Sequence, residues 1–154
     1  MSPVAWRFLS FAALTNLQLY AVLQLRSEVF VVEQACIFQD IDGADADAMH
    51  LLGMQQGRLV AYARCLAAGV SYPQASVGRI LTHKSVRGSG LGHALVEEAI
   101  ARLERQWDAQ PIRIGAQAHL EPFYRQHGFL AAGPLYLEDG IPHLEMLRAG
   151  RKPG

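Results

Sequence analysis

A short glycine-rich run between a strand-like and a strongly helical segment constrains this chain more than any other feature. Val77 to Thr82 reads as a buried strand, Arg87-Gly88-Ser89-Gly90-Leu91-Gly92 follows, and from Leu91 onward apolar residues recur at Leu95, Ala99, Leu103 and Trp107. That repeat, broadened by Val96 and Ile100 and backed by Glu97, Glu98, Arg102, Glu104 and Arg105, predicts an amphipathic helix. Strand, glycine turn and helix in this order place amides free of side chains at a helix N-terminus. Unpaired N–H groups and the positive end of the helix dipole favour an anion there, and a phosphate group suits the place.

Three cofactor classes use such a turn, and the details separate them. A P-loop ends in Gly-Lys-Ser/Thr, whereas Gly92 is followed by His93 and Ala94. A dinucleotide fingerprint needs a small residue at its sixth position; counted from Gly88 that residue is His93, which makes a Rossmann domain the weaker rival. The run does satisfy Arg/Gln-x-x-Gly-x-Gly/Ala through Arg87, Gly90 and Gly92. Taken alone, a tight turn that merely starts a helix against a strand satisfies it as well.

Elsewhere the pattern alternates between strands and helices. Val4 to Phe11 reads as a strand, and Thr15 or Asn16 can cap a helix running to about Phe30. Its apolar stripe is expected at Leu19, Leu23, Arg26 and Phe30, widened by Leu17 and Tyr20. After a polar loop, Gln39 to Ala48, the segments Met49 to Gln55 and Leu59 to Leu66 form a hairpin around Gln56-Gly57-Arg58. Ile112 to Ala116 reads as a strand, Pro122 opens a short helix through His127, and Gly128 ends it. Phe129 to Ala132 and Ile141 to Leu147 are the expected last two strands, and the tail 150–154 is expected to fray. The order predicts an α/β fold: a central twisted mixed sheet flanked by helices, in one domain spanning 1–154.

Composition excludes several functions. Lys plus Arg and Asp plus Glu are 14 each, so no overall basic field gathers nucleic acid or a membrane surface, and neither is an expected partner. Cys36 and Cys65 have no metal-ligand spacing, and the six His residues contain no His-Glu-x-x-His, so no metal is expected. Phe8 to Leu14 lacks the flanks of a signal peptide, and no run reaches the ~20 apolar residues that span a bilayer, which points to the cytoplasm. Asp40, Asp42, Asp45 and Asp47 do not match a calcium loop, because Gly43 is misplaced and Leu51 stands where the bidentate Glu belongs. They are expected to form a solvated acidic loop, or with Glu33, Glu138 and Asp139 to attract a cationic amine. His83 and His93 are expected to be exposed beside the glycine run.

A resemblance adds to this reading. Arg87, Gly90 and Gly92 match motif A of the GNAT acetyltransferase superfamily, and Phe123-Tyr124-Arg125-Gln126-His127-Gly128-Phe129 resembles its second motif. Leu25 to Gln34, Gly115 to Leu120 and Tyr136 to His143 resemble signatures of the ElaA-like branch, so that the likeness covers about Asn16 to Arg148. It implies a single-domain GNAT fold, acetyl-CoA as co-substrate without a metal, and a small-molecule or peptide amine as acceptor. A homodimer is compatible with it. The alternative is a non-catalytic acyl-CoA-binding module that regulates a partner.

The resemblance also implies roles. Ile80, Leu81 and Thr82 would pair with the pantetheine arm, Gln117 falls where many relatives use Asn on that arm, and the run from Arg87 through Gly88, Ser89, Gly90 and Leu91 to Gly92 would hold the pyrophosphate. Tyr124 is the candidate general acid, since a phenol of pKa ~10 is protonated at neutral pH. Phe30, Glu33, Glu138 and His143 fall on the acceptor side. The base is open: Gly78 to Thr82 carries no carboxylate, which leaves Glu33, His50, His119, Glu138, His143 or a water relay. No Ser or Cys sits in a nucleophile elbow, so direct transfer in a ternary complex is expected.

Overall fold

In the hairpin strands Met49–Gln55 and Arg58–Leu66, successive side chains face opposite cores, and this alternation organises the molecule. The computed structural model describes residues 3–150. Its strands are β1 (Ala5–Ser10), β2 (Met49–Gln55), β3 (Arg58–Leu66), β4 (Ala75–Thr82), β5 (Ile112–Gln117), β6 (Phe129–Ala131), β7 (Tyr136–Glu138) and β8 (Ile141–Arg148). The helices are α1 (Asn16–Arg26), α2 (Leu91–Trp107) and α3 (Glu121–Arg125). The sheet order is β1-β2-β3-β4-β5-β8-β6, with β7 also paired to β8, and only β4 and β5 run parallel.

Leu51, Ala61 and Ala63 point to the face covered by α2, where Leu95, Ala99 and Leu103 complete the larger core. Leu52 and Tyr62, one residue out of phase, point to the other face and meet Val22, Leu25 and Val29. A period of two in the strands therefore separates two cores, one under each helical layer. The α2 face is as expected: Leu95, Val96, Ala99, Ile100 and Leu103 are buried.

The structure corrects the reading at several places. The buried face of α1 is Val22, Leu25, Arg26 and then Val29, whereas Leu17 and Tyr20 are exposed. Apolar residues surround this helix, so their spacing does not choose a face; the Arg26 side chain, drawn to two buried carboxylates, does. Thr15 caps the helix through a capping box with Gln18. The helix continues beyond Phe30 as a π-helical segment, Ser27–Glu33. A further strand, β7, lies between the two strands expected last. Gly150, the first residue of the tail expected to fray, packs against Ala109 to Pro111, where an added Cβ would lie 2.7 Å from the Ala109 carbonyl oxygen. The rest of that expected tail, 151–154, lies outside the described residues.

Candidate active site

The parallel ladder between β4 and β5 consists of Ala75–Ile112 and Ser76–Arg113 and then stops. Three residues further on, β4 loses register with β3: between the pairs Arg64–Gly78 and Tyr62–Leu81, the single residue Ala63 faces both Arg79 and Ile80. This is a β-bulge, and Arg79 adopts a φ of 50°, in the left-handed region where a side chain is normally disfavoured. Here sheet pairing fails on both sides of β4, and a cleft of about 730 Å³ opens between β4 and β5. Its size is that of a small-molecule site.

The cleft brings together most of the expected residues. Ile80, Leu81, Thr82 and Arg87 line one wall, Gln117 and Tyr124 another, and Phe30, Glu33, Glu138 and His143 the remainder, with Gly92 at the start of α2. Gly88, Ser89, Gly90 and Leu91 are not part of the wall. They form the turn behind it, in which Gly90 is the N-cap at φ 84° and the Ser89 hydroxyl donates to the Val86 carbonyl. Leu91 packs against the α2-side core. The Arg87 guanidinium donates to the Thr82 carbonyl and pairs with Glu33 at 2.7 Å.

Tyr124 projects from α3, which Pro122 opens and Gly128 follows in the left-handed conformation. Its ring is buried against Phe123 and Phe129 while lining the cleft. Burial pushes the phenol up to about 12, so it stays protonated at neutral pH. Gln117 donates from its side-chain amide to Gln34 at the end of the π-helical segment.

Two of the four loop aspartates are not solvated, whereas Asp42 and Asp47 are exposed. Asp40 and Asp45 are buried and, with Asp42, are held by three arginines: Arg26 from α1, Arg64 from β3 and Arg79 from the bulge. Arg79 donates from Nε to Asp40 at 2.8 Å, and Arg26 donates to the other oxygen of the same carboxylate at 2.9 Å. The Arg64 bonds hold the Asp42 carboxyl well below the usual range. Burial alone would raise Asp45, but its bonds to Arg26 and Arg64 outweigh that and hold it low. Sequence spacing hides this because each arginine is far from its partner along the chain. The carboxylates of Asp40, Asp42 and Asp45 are thus committed to arginine and not left free for a cation. His83 and His93 are half-buried: His83 bonds Ser85, and His93 bonds His127 beside Phe123.

Arg79 is among the cleft residues absent from the expected set. Its sequence signal is Gly78-Arg79 interrupting an apolar strand, a pattern that marks a bulge. Cys36, whose thiol approaches the Asp139 carbonyl at 3.5 Å, likewise links the π-helical segment to the β7–β8 hairpin across the cleft. Among the described residues, no helix is long and apolar enough to cross a membrane.

Comparison with known proteins agrees with this geometry. Residues 17–149 match the family model described as an acetyltransferase (GNAT) domain. Protein ElaA of Escherichia coli is 42% identical over 147 residues, covering 94% of this chain and 96% of its own. The crystal structure of Escherichia coli ElaA superposes with a TM-score of 0.88 at 41% identity, covering 94% of this chain and 99% of that one. That of an acyl-CoA N-acyltransferase from Pseudomonas aeruginosa does so at 0.91 and 45%, covering 95% and 99%. A matched model over most of the chain, relatives above 40% identity and a sheet that opens at a bulge ahead of the glycine turn identify the chain as an acyltransferase of the GNAT family, similar to ElaA.

Proposed function

We propose that residues 1–154 form one cytoplasmic acetyltransferase domain that moves the acetyl group of acetyl-CoA to a primary amine of a small molecule or peptide. Transfer is direct, within a ternary complex. The observation that carries the reading is the joint failure of β4 pairing at Arg79–Ile80, which frees backbone groups along a cleft that ends at the glycine turn. An extended pantetheine arm can add to Ile80–Thr82 as a strand would, with Gln117 reaching it from β5. The turn from Arg87 to Gly92 receives the pyrophosphate at the α2 N-terminus. Amides freed at the bulge polarise the thioester carbonyl as charge develops on its oxygen. Tyr124 donates its proton to the departing thiolate, and burial keeps that proton in place.

The acceptor enters between the π-helical segment and the β7–β8 hairpin, where Phe30 offers apolar contact and Glu138 a negative charge. Two free, buried cysteines suit a reducing compartment. The experiment is a panel of amines, amino acids and peptides supplied with acetyl-CoA, following release of free thiol. Turnover with at least one amine is expected. Tight acetyl-CoA binding with no thiol release across the panel would refute transfer and favour a binding module.

A further inference from the structure

The residue that takes the proton from the acceptor is legible in the β7–β8 hairpin. His143 on β8 pairs in register with Tyr136 on β7 and with Gln117 on β5, so the three side chains share one face of the sheet, and Glu138 lies on that face two residues beyond Tyr136. His143 and Glu138 both line the cleft that Tyr124 lines. The imidazole Nδ1 lies 2.7 Å from the Ile141 carbonyl oxygen. A carbonyl only accepts, so Nδ1 carries a hydrogen in either charge state, and whenever the ring is neutral its lone pair lies on Nε2. That nitrogen lies 3.3 Å from Oε2 of Glu138.

The other candidate bases are occupied or unsupported. His50 is fully buried with both ring nitrogens engaged, by the Tyr62 hydroxyl and the Asp45 carbonyl. Glu33 is paired with Arg87. His119 lines the cleft, but no hydrogen bond among the described residues fixes its ring.

We propose, building on the transfer reading above, that His143 is the general base and that Glu138 holds the substrate ammonium against it. An alkylammonium between Nε2 and Oε2 gives one proton to Nε2, and the resulting imidazolium is held by the Glu138 carboxylate. The neutral amine attacks the thioester carbon; a C–N bond forms and the C–S bond breaks. Tyr124 protonates the thiolate and is restored by the second proton shed from nitrogen, while the His143 proton leaves to solvent. The net products are an amide, free CoA and one proton. Charged and titratable neighbours of His143 are Glu138 and Tyr136 on β7, and Tyr136 stacks at a centroid distance of 5.7 Å.

The test compares wild type, His143→Gln and Glu138→Gln on the best alkylamine from the panel and on an O-alkylhydroxylamine of the same chain length, which is unprotonated at neutral pH. His143→Gln is expected to lose about 100-fold in kcat/KM on the alkylamine but under about fivefold on the O-alkylhydroxylamine, which needs no deprotonation before attack. Glu138→Gln is expected to raise KM for the alkylamine with a smaller effect on kcat. Acetyl-CoA affinity, measured for each variant, reports that the cleft is intact. Equal losses on both amines, or none on the alkylamine, would overturn the base assignment while leaving the transfer reading standing. A wild type that binds acetyl-CoA but acetylates nothing would overturn both.

Discussion

Glu33 and Arg87 face each other at 2.7 Å, with the carboxylate of the π-helical segment on the guanidinium that opens the glycine turn. Arg87 simultaneously donates to the Thr82 carbonyl at the end of β4, so one side chain joins the first helical region to the strand that borders the cleft. If the turn receives a pyrophosphate, Glu33 competes with it for the same cation. Glu33→Gln is therefore expected to bind acetyl-CoA more tightly. The pair is substantially exposed, which limits the gain to about fivefold, the upper worth of such a pair. Calorimetric titration at two ionic strengths checks it. Weaker binding by the variant would mean that Glu33 supports the cofactor end and does not oppose it.

Tyr124 gives a prediction in which binding and chemistry separate. Its ring is buried, and Phe would keep the contacts with Phe123 and Phe129. Tyr124→Phe is expected to lower kcat by about 100-fold, the usual worth of a positioned acid, with acetyl-CoA affinity almost unchanged. Because the phenol ionises only at about 12, wild-type kcat should show no loss of the acid up to pH ~9.5. A variant with full turnover removes Tyr124 from the acid role.

What could be seen in the sequence, and what could not, divides along a physical line. The α2 face, the β2–β3 hairpin and the glycine turn were legible because local periodicity and backbone preference determine them. The face of α1 was not, because Val22 and Leu25 win over Leu19 and Leu23 only once Arg26 meets Asp40 and Asp45. The same network explains the acidic loop. Four aspartates within eight positions read as solvated charge until arginines from three separate elements converge on three of them, Asp40, Asp42 and Asp45. Strand β7 escaped because three residues carry too little alternation to register. Most of the cleft wall was foreseeable from the family likeness, whereas Arg79 needed the bulge itself.

The arginine–aspartate network predicts a stability profile with two losses as pH falls. Burial lowers the His50 pKa, so the unfolded chain takes up a proton that the folded one resists. Stability then falls as pH drops below the unfolded value of ~6.5. Asp45 and Asp42 are shifted down, so their contribution is complete above the unfolded value of ~3.9 and is lost as pH drops further, through their folded values. Urea unfolding at several pH values should show His50→Gln flattening the first loss alone. Asp45→Asn leaves Arg26 and Arg64 short of a buried partner and is expected to cost about 3 kcal/mol at neutral pH, lowering Tm by about 6–12 °C. A wild type equally stable at neutral and mildly acid pH would contradict the His50 argument.

Gly90 and Gly92 belong to one turn but are glycine for different reasons, and alanine should tell them apart. Gly90 caps α2 at φ 84°, where a Cβ meets no neighbour but is strained by the backbone itself. Gly90→Ala is expected to destabilise by about 1–2 kcal/mol. Gly92 lies within the helix, and its Cβ would meet the Phe123 ring at 3.6 Å, an ordinary contact. Gly92→Ala should therefore leave stability unchanged or raise it by up to about 1 kcal/mol through helix propensity. The cleft end of α2 stays open to an anion with a methyl at that position, so acetyl-CoA binding should survive. Gly92→Leu fills the same space with a branched side chain against Phe123, covering the amides at the helix start. If the proposed pyrophosphate site is right, this variant should lose acetyl-CoA affinity far more than it loses Tm. An Ala variant at Gly92 that abolishes binding would show that the anion packs directly on that Cα, closer than the Phe123 contact alone requires.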